Sequence, residues 1–184
     1  MKMDKVANSG NDEFYTPKYA VKPIIKYLKL KNFKKIWCPF DDERSWFVKL
    51  LQEYEFQVMF SHIDNGENFF NFKTPDCNCI VSNPPYSLKG AILQQLFTIG
   101  KPFAMLVGVV GLFESEERFS MFENNNFEIL YLNKRVDYFK NFSDQKPSIN
   151  PPFSSVYICS KLLPKQICFA HINKKESYNE YKLI

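Results

Sequence analysis

The chain has 184 residues, about the length of one domain. Hydrophobic residues make up 45% and charged residues 24%, with 6 Gly and 11 Pro, which excludes a collagenous, mucin-like or wholly disordered chain and leaves room for an ordinary buried core. The 24 Lys and Arg against 20 Asp and Glu give a net charge of +4, compatible with a polyanion partner without demanding one; only Arg44, Arg118 and Arg135 are arginines, so most of the positive charge is lysine, which follows phosphates but reads guanine poorly.

In chain order, Tyr15-Thr16-Pro17 leads into AVKPIIKYLKL, where Val21, Ile24, Ile25 and Leu28 recur at helical spacing with Pro23 in the first turns. Lys34 to Phe40 is a short apolar run closed by Asp41-Asp42-Glu43, which predicts a buried strand ending in a polar loop, and Ser45 then N-caps a helix through Tyr54. Gln57 to Ile63 and Cys77 to Ser82 are the next strands. Ser87 is expected to cap the helix LKGAILQQLFTI, which stops at Gly100. A strand from Phe103 to Val110, a helix around Glu116 to Glu123 and a strand region NFEILYLNKRVDYF follow. After Pro151-Pro152-Phe153, the segments SSVYICSKLLP and KQICFAHI read as the last strands, and the polar segment Asn141 to Asn150 reads as a mobile loop.

Strands alternating with helical segments imply parallel βαβ units. The expectation is one three-layer α/β domain over residues 1–184, a mixed and mostly parallel sheet with helices on both faces, with the late strands forming a mixed or antiparallel edge. Residues 1–12 are expected to be a flexible N-terminus. The longest apolar stretch, Pro102 to Phe113, falls short of the roughly 20 residues a spanning helix needs, and MKMDKVANSGNDE has no secretory core, so no membrane and a cytoplasmic location are expected. Cys38, Cys77, Cys79, Cys159 and Cys168 are odd in number, which suits a reduced compartment. No zinc site is expected, because Cys77 and Cys79 do not form a CxxC pair and His62 and His171 have no ligand spacing.

Asn83-Pro84-Pro85-Tyr86 stands at the carboxyl end of a predicted buried strand, where open α/β sheets bind ligands. Two prolines fix φ at successive positions and push Asn83 toward extended geometry, so the loop is stiff before any ligand arrives. Pro84 offers only a carbonyl, and the Asn83 amide oxygen supplies a second acceptor beside it. Two converging acceptors suit an exocyclic NH2 group, whose nitrogen they draw toward a pyramidal form with an available lone pair. Tyr86 is expected to stack on the ring, a contact worth about 1–3 kcal/mol for a base. The bland alternative is a rigid loop after a strand.

On these residues the chain resembles the S-adenosylmethionine-dependent amino-methyltransferases, in particular small phage- and prophage-type DNA adenine-N6 methyltransferase-like proteins with NPPY or NPPF followed by Ser. The resemblance extends over almost the whole chain and implies a Rossmann-like methyltransferase fold, S-adenosyl-L-methionine as cofactor, and DNA as partner with the target adenine single-stranded or flipped. It assigns catalysis to Asn83, Pro84, Pro85 and Tyr86. Tyr15-Thr16-Pro17 resembles the N-terminal methionine-side motif, and IWCPFDDERSWF occupies the place of the first cofactor loop, so that Cys38, Pro39, Phe40, Asp41 and Asp42 become cofactor-binding candidates. His62-Ile63-Asp64 ends the second strand, where Asp64 is the candidate ligand of the ribose hydroxyls or else a turn-forming Asp before Asn65-Gly66. Gly66 to Phe70 resembles the segment that holds the cofactor's adenine, with Asn68 and Phe69 as candidates, and His62 reads as a packed strand residue.

The first loop keeps the length of the family's Pro-Phe-x-Gly-x-Gly-Ser but contains no glycine, the residue that permits close backbone approach. Two readings of Asp41 and Asp42 stay open: attraction of the methionine ammonium, or solvated acids near a helix N-terminus. The sequence offers no target-recognition domain, so low specificity or a protein partner for target reading is expected, with Lys134, Lys140 and Lys146 as candidate DNA contacts. Two other functions fit the residues: a methyltransferase-fold binding protein that has lost its cofactor, and an amino-methyltransferase acting on RNA or on protein glutamine.

Overall fold

The computed structural model describes residues 15–140, 142, 146, 147 and 152–175. The expected flexible N-terminus at 1–12 and most of the loop 141–150 lie outside the described residues.

The elements run α1 (Lys18–Leu30), β1 (Lys35–Cys38), α2 (Trp46–Glu53), β2 (Gln57–Phe60), β3 (Cys79–Ser82), α3 (Lys89–Ile99), β4 (Phe103–Gly108), α4 (Glu116–Glu123), β5 (Glu128–Leu132), β6 (Ser155–Ser160) and β7 (Ile167–Ala170). The described strands form one sheet in the order β2-β1-β3-β4-β6-β5-β7. β1 pairs in parallel with β2 and β3, β3 with β4, and β5 with β7. β6 alone runs against its neighbours, from Phe103↔Ser160 to Gly108↔Ser155 on one side and from Glu128↔Cys159 to Tyr131↔Val156 on the other. Of the two expected arrangements of the late strands, mixed or antiparallel, the mixed one forms: β6 is reversed against both neighbours, and the outer strand β7 is parallel to β5. Both β4 and β6 are buried along their whole length, as their apolar runs predict.

Alternation along the strands makes two cores. Ile36, Cys38, Cys79, Val81, Ala104 and Leu106 face one side, where α1 and α2 deliver Ile24, Leu28, Phe47 and Leu51. Trp37, Ile80, Phe103, Met105 and Val107 face the other, where α3 and α4 deliver Ile92, Leu96 and Phe122. This is the expected three-layer, Rossmann-like α/β arrangement with helices on both faces.

Several boundaries differ from the sequence reading for identifiable reasons. β2 stops at Phe60, because the His62 ring accepts from Asp64 N–H at 3.3 Å and caps a short 3-10 turn closed by Gly66 at φ 78°. Ser87 does not cap α3: Tyr86–Leu88 form a 3-10 turn, and Leu88 holds the N-cap position without a side-chain hydrogen bond. After β5 the chain leaves the sheet, and Asp137 and Tyr138 turn inward, where Asp137 N–H donates to Tyr19 Oη at 2.8 Å. Phe139 then makes single bridges to Tyr15 and Pro147. Ser45 does cap α2, accepting from Phe47 N–H at 3.1 Å. Among the described residues no helix is long and apolar enough to cross a membrane, no group of three or more His, Cys, Asp or Glu is placed to hold a metal, and all five cysteines are free.

Candidate active site

The carboxyl ends of β1, β2 and β3 lie at one edge of the sheet, and the loops that leave them line a cavity of about 910 Å3, its mouth included. The loop after β3 contributes Asn83, Pro84, Pro85 and Tyr86; the loop after β1 contributes Pro39, Phe40 and Asp41; the segment after β2 contributes Asn68 and Phe69; and Tyr15 and Thr16 enter from before α1. Eleven residues singled out from sequence thus share one concave surface.

Four others lie elsewhere. Pro17 is the N-cap residue of α1. Cys38 is fully buried in the core, where burial pushes its thiol up. Asp42 is bound by Arg44, which donates from Nε at 2.9 Å and from its backbone N–H at 2.8 Å. Burial works against the charge of Asp42, but the Arg44 hydrogen bonds and charge outweigh it and hold the carboxyl below its usual range. The Asp64 side chain is 74% exposed, with its carboxylate 3.4 Å from His62 Nδ1 and outside the cavity lining. His62 itself is corrected from a packed strand residue to a loop residue on the cavity wall.

The sequence reading missed Glu67, Ile63, Ser45 and Trp46, all of which line the cavity. Glu67 accepts from His62 N–H at 3.4 Å. Its signal was a second acid three residues beyond Asp64, which only the 3-10 turn turns toward the cavity. Asn68 Oδ1 accepts from Phe70 N–H at 3.0 Å and so pins the turn that presents Phe69. The floor is aromatic: Phe69 packs against Phe40 at 5.0 Å and Trp37 at 5.8 Å.

Asp41 is the electrostatic centre. It is 8% exposed, and its two carboxylate oxygens accept separately from Ser45 Oγ, at the start of α2, and Ser82 Oγ, the residue before Asn83. Asp41 N–H donates to Ser61 O at 3.2 Å, so this one side chain and its backbone tie together the loops after β1, β2 and β3. Burial raises its carboxyl from 3.8 to about 6, against the lowering effect of the two hydroxyls, with smaller contributions upward from Asp42 and downward from His62. A buried carboxylate at this site favours a cation beside it.

The glycine-free loop needs no glycine for its own conformation, since none of residues 39–45 has a positive φ. It turns instead on Asp42, whose carbonyl accepts from Ser45 N–H at 3.1 Å and whose side chain accepts from Arg44 N–H. The Asn83 side-chain oxygen is out of contact with solvent. Tyr86 stands edge-on to Phe153 at 5.4 Å and to Tyr138 at 6.0 Å; the Tyr138 hydroxyl donates to Ser155 Oγ at 2.8 Å, and burial pushes it up to about 12.

The residues fit S-adenosylmethionine on two observations. Thr16 Oγ1 is buried on the cavity wall with no hydrogen-bond partner, a site for a polar ligand atom, and Ile63 lines the cavity while 64% exposed, a site for an apolar face. With Asp41 as an anion, the lining offers cation, polar and aromatic contacts along one cavity.

The fold and site define a Rossmann-like α/β domain with a ligand cavity at the carboxyl ends of its parallel strands. No family model and no curated protein matches the chain. Among solved structures, a modification subunit of a putative type I restriction enzyme from Vibrio vulnificus YJ016 aligns with a TM-score of 0.48 and 14% identity over 84% of this chain and 46% of that one. The chain thus spans less than half the length of that subunit.

Proposed function

We propose that the chain is an S-adenosylmethionine-dependent methyltransferase that modifies the exocyclic amine of adenine in DNA with low sequence specificity. The observation that carries this reading is the stiff Asn83-Pro84-Pro85-Tyr86 loop on the wall of a cavity whose lining also holds Asp41, Thr16 and an aromatic floor.

When bound, S-adenosylmethionine supplies a methyl group on a positively charged sulfur. Asp41 and Thr16 are assigned its methionine end, Glu67 the ribose hydroxyls in place of Asp64, and Ile63 and Phe69 the two faces of its adenine ring. Asn83 and Pro84 accept from the target amine and fix its direction, while Pro85 holds the turn and Tyr86 stacks on the target ring. Positioning of this kind can supply up to about 7–11 kcal/mol of a transfer barrier. The target base has to leave a duplex stack or come from a single strand. Only residues 65–82 separate Asp64 from Asn83, which leaves little chain for a reader of sequence.

The test is Asn83→Ala. Transfer should fall by about 100-fold or more, the scale of one lost polar contact to the reacting centre, while cofactor affinity by calorimetry stays within about twofold of wild type. Wild-type activity in the variant would put the chemistry elsewhere. No heat of binding to wild type at millimolar cofactor would favour the cofactor-free binding protein instead.

A further inference from the structure

Every charged residue from 14 to 40 is a lysine: Lys18, Lys22, Lys26 and Lys29 in α1, then Lys31, Lys34 and Lys35. Since the whole chain carries only +4, these seven charges leave the remainder net negative. The α1 lysines are not scattered around the helix. At spacings of four, four and three they fall on one stripe, about 6 Å apart along an axis about 20 Å long, while Ala20, Ile24 and Leu28 are buried on the far side.

A helix face that merely meets water normally interleaves acids with bases, because like charges at i and i+4 repel by about 0.2–0.5 kcal/mol per pair. Here no acid of α1 relieves the repulsion. Glu53 pairs with Lys18 at 3.2 Å and Asp76 with Lys35 at 2.5 Å, both acids coming from other elements. The lysines alternate with aromatic rings. Lys26 lies over Tyr27 and Lys29 over Tyr54, each at 4.7 Å, and Lys18 and Lys49 flank Trp46 at 5.1 and 5.6 Å. Trp46 also lines the cavity, so the stripe begins at the site itself.

We propose that the lysine stripe of α1, continued by Lys31 and Lys34, is a docking track for the DNA strand that flanks the target base. Lysine ammonium groups match phosphates as point charges and carry no base reading, which suits a track that holds DNA without choosing its sequence. The proposal deepens the methyltransferase reading by saying where the substrate runs, but its test requires no methyl transfer.

The experiment measures fluorescence anisotropy of labelled duplex and single-stranded oligonucleotides across a salt series, using the full chain. The variant Lys22→Gln/Lys26→Gln/Lys29→Gln should bind about tenfold or more weakly at low salt, with the slope of log affinity against log salt shallower by about 0.9 per lysine on duplex and about 0.7 on single strands. Each single Lys→Gln change should remove one such increment, which keeps the test usable if the triple variant is unstable. The matching Lys→Arg triple should bind like wild type, and Lys165→Gln should change nothing. Unchanged affinity and slope in the Gln variants would overturn the track, as would loss of binding only in Lys134→Gln/Lys140→Gln/Lys146→Gln. Binding to anionic lipid vesicles in place of DNA would overturn it too. DNA binding that depends on the stripe without any methylation would leave the track standing and defeat the methyltransferase reading; methylation indifferent to the stripe would do the reverse.

Discussion

Replacing Asp41 with Asn keeps the shape of the most unusual group in the site and removes its charge. Burial raises the Asp41 carboxyl from 3.8 to about 6, a shift of about two units or roughly 3 kcal/mol. Because the folded value lies above the unfolded one, the folded state holds a proton that the unfolded state releases between about pH 4 and 6. Stability therefore falls as pH rises through that window, and above about pH 6 the ionised carboxylate costs its full roughly 3 kcal/mol, less whatever relaxation returns. A cation placed beside Asp41 reverses the balance by favouring the charged form. Cofactor affinity measured by calorimetry should then rise about tenfold between pH 5 and pH 7 and level off, since an α-ammonium group stays protonated up to about pH 7.7 or above and an α-carboxyl titrates below about 4. Asp41→Asn should bind more weakly at pH 7 and lose this pH dependence, and its unfolding midpoint at pH 8 should equal or exceed that of wild type. A flat profile in wild type, or the same slope in the Asn variant, would show that Asp41 does not face the cofactor's cation.

Glu67→Gln should weaken cofactor binding about 10- to 150-fold, the scale of one charge-assisted hydrogen bond of about 1.5–3 kcal/mol, whereas Asp64→Asn should leave it unchanged; calorimetry on the pair reads both, and the opposite result would restore Asp64 to the site. Ser45→Ala removes both the α2 cap and one hydrogen bond to Asp41, and should cost about 1–2 kcal/mol in denaturant unfolding. Leu28→Ala, at a side chain with no exposure between α1 and the sheet, should cost about 2–5 kcal/mol by the same method.

The layer architecture was legible because its causes are local. The continuous apolar runs of β4 and β6 and the spacing of Val21, Ile24 and Leu28 each dictate one element, and Gly100 ends α3 at φ 72° as its position suggests. Sheet order was less legible, because the place of β6 depends on pairing between segments far apart in the chain. At the site, the stiff Asn83-Pro84-Pro85-Tyr86 loop announced itself, since two prolines after a buried strand restrict the backbone in any context. Asp41 and Asp42 could not be told apart in the sequence: one is buried beneath two serine hydroxyls and the other is taken by Arg44, and only the turn at 41–45 decides which. The choice of Glu67 over Asp64 depends in the same way on the 3-10 turn at Ile63–Asn65. The sequence reading placed its candidate DNA contacts at Lys134, Lys140 and Lys146 and passed over the lysines of α1, whose single stripe and meeting with Trp46 are properties of the folded helix.

The proposed activity stands or falls on where a methyl group goes. Full-length protein incubated with methyl-labelled S-adenosylmethionine and, separately, with DNA, RNA and protein acceptors, followed by digestion to nucleosides and amino acids, should place the label on the exocyclic amine of adenine from DNA, with Asn83→Ala as the inactive control. Label found only in RNA, only on glutamine, or nowhere at saturating cofactor would contradict the assignment.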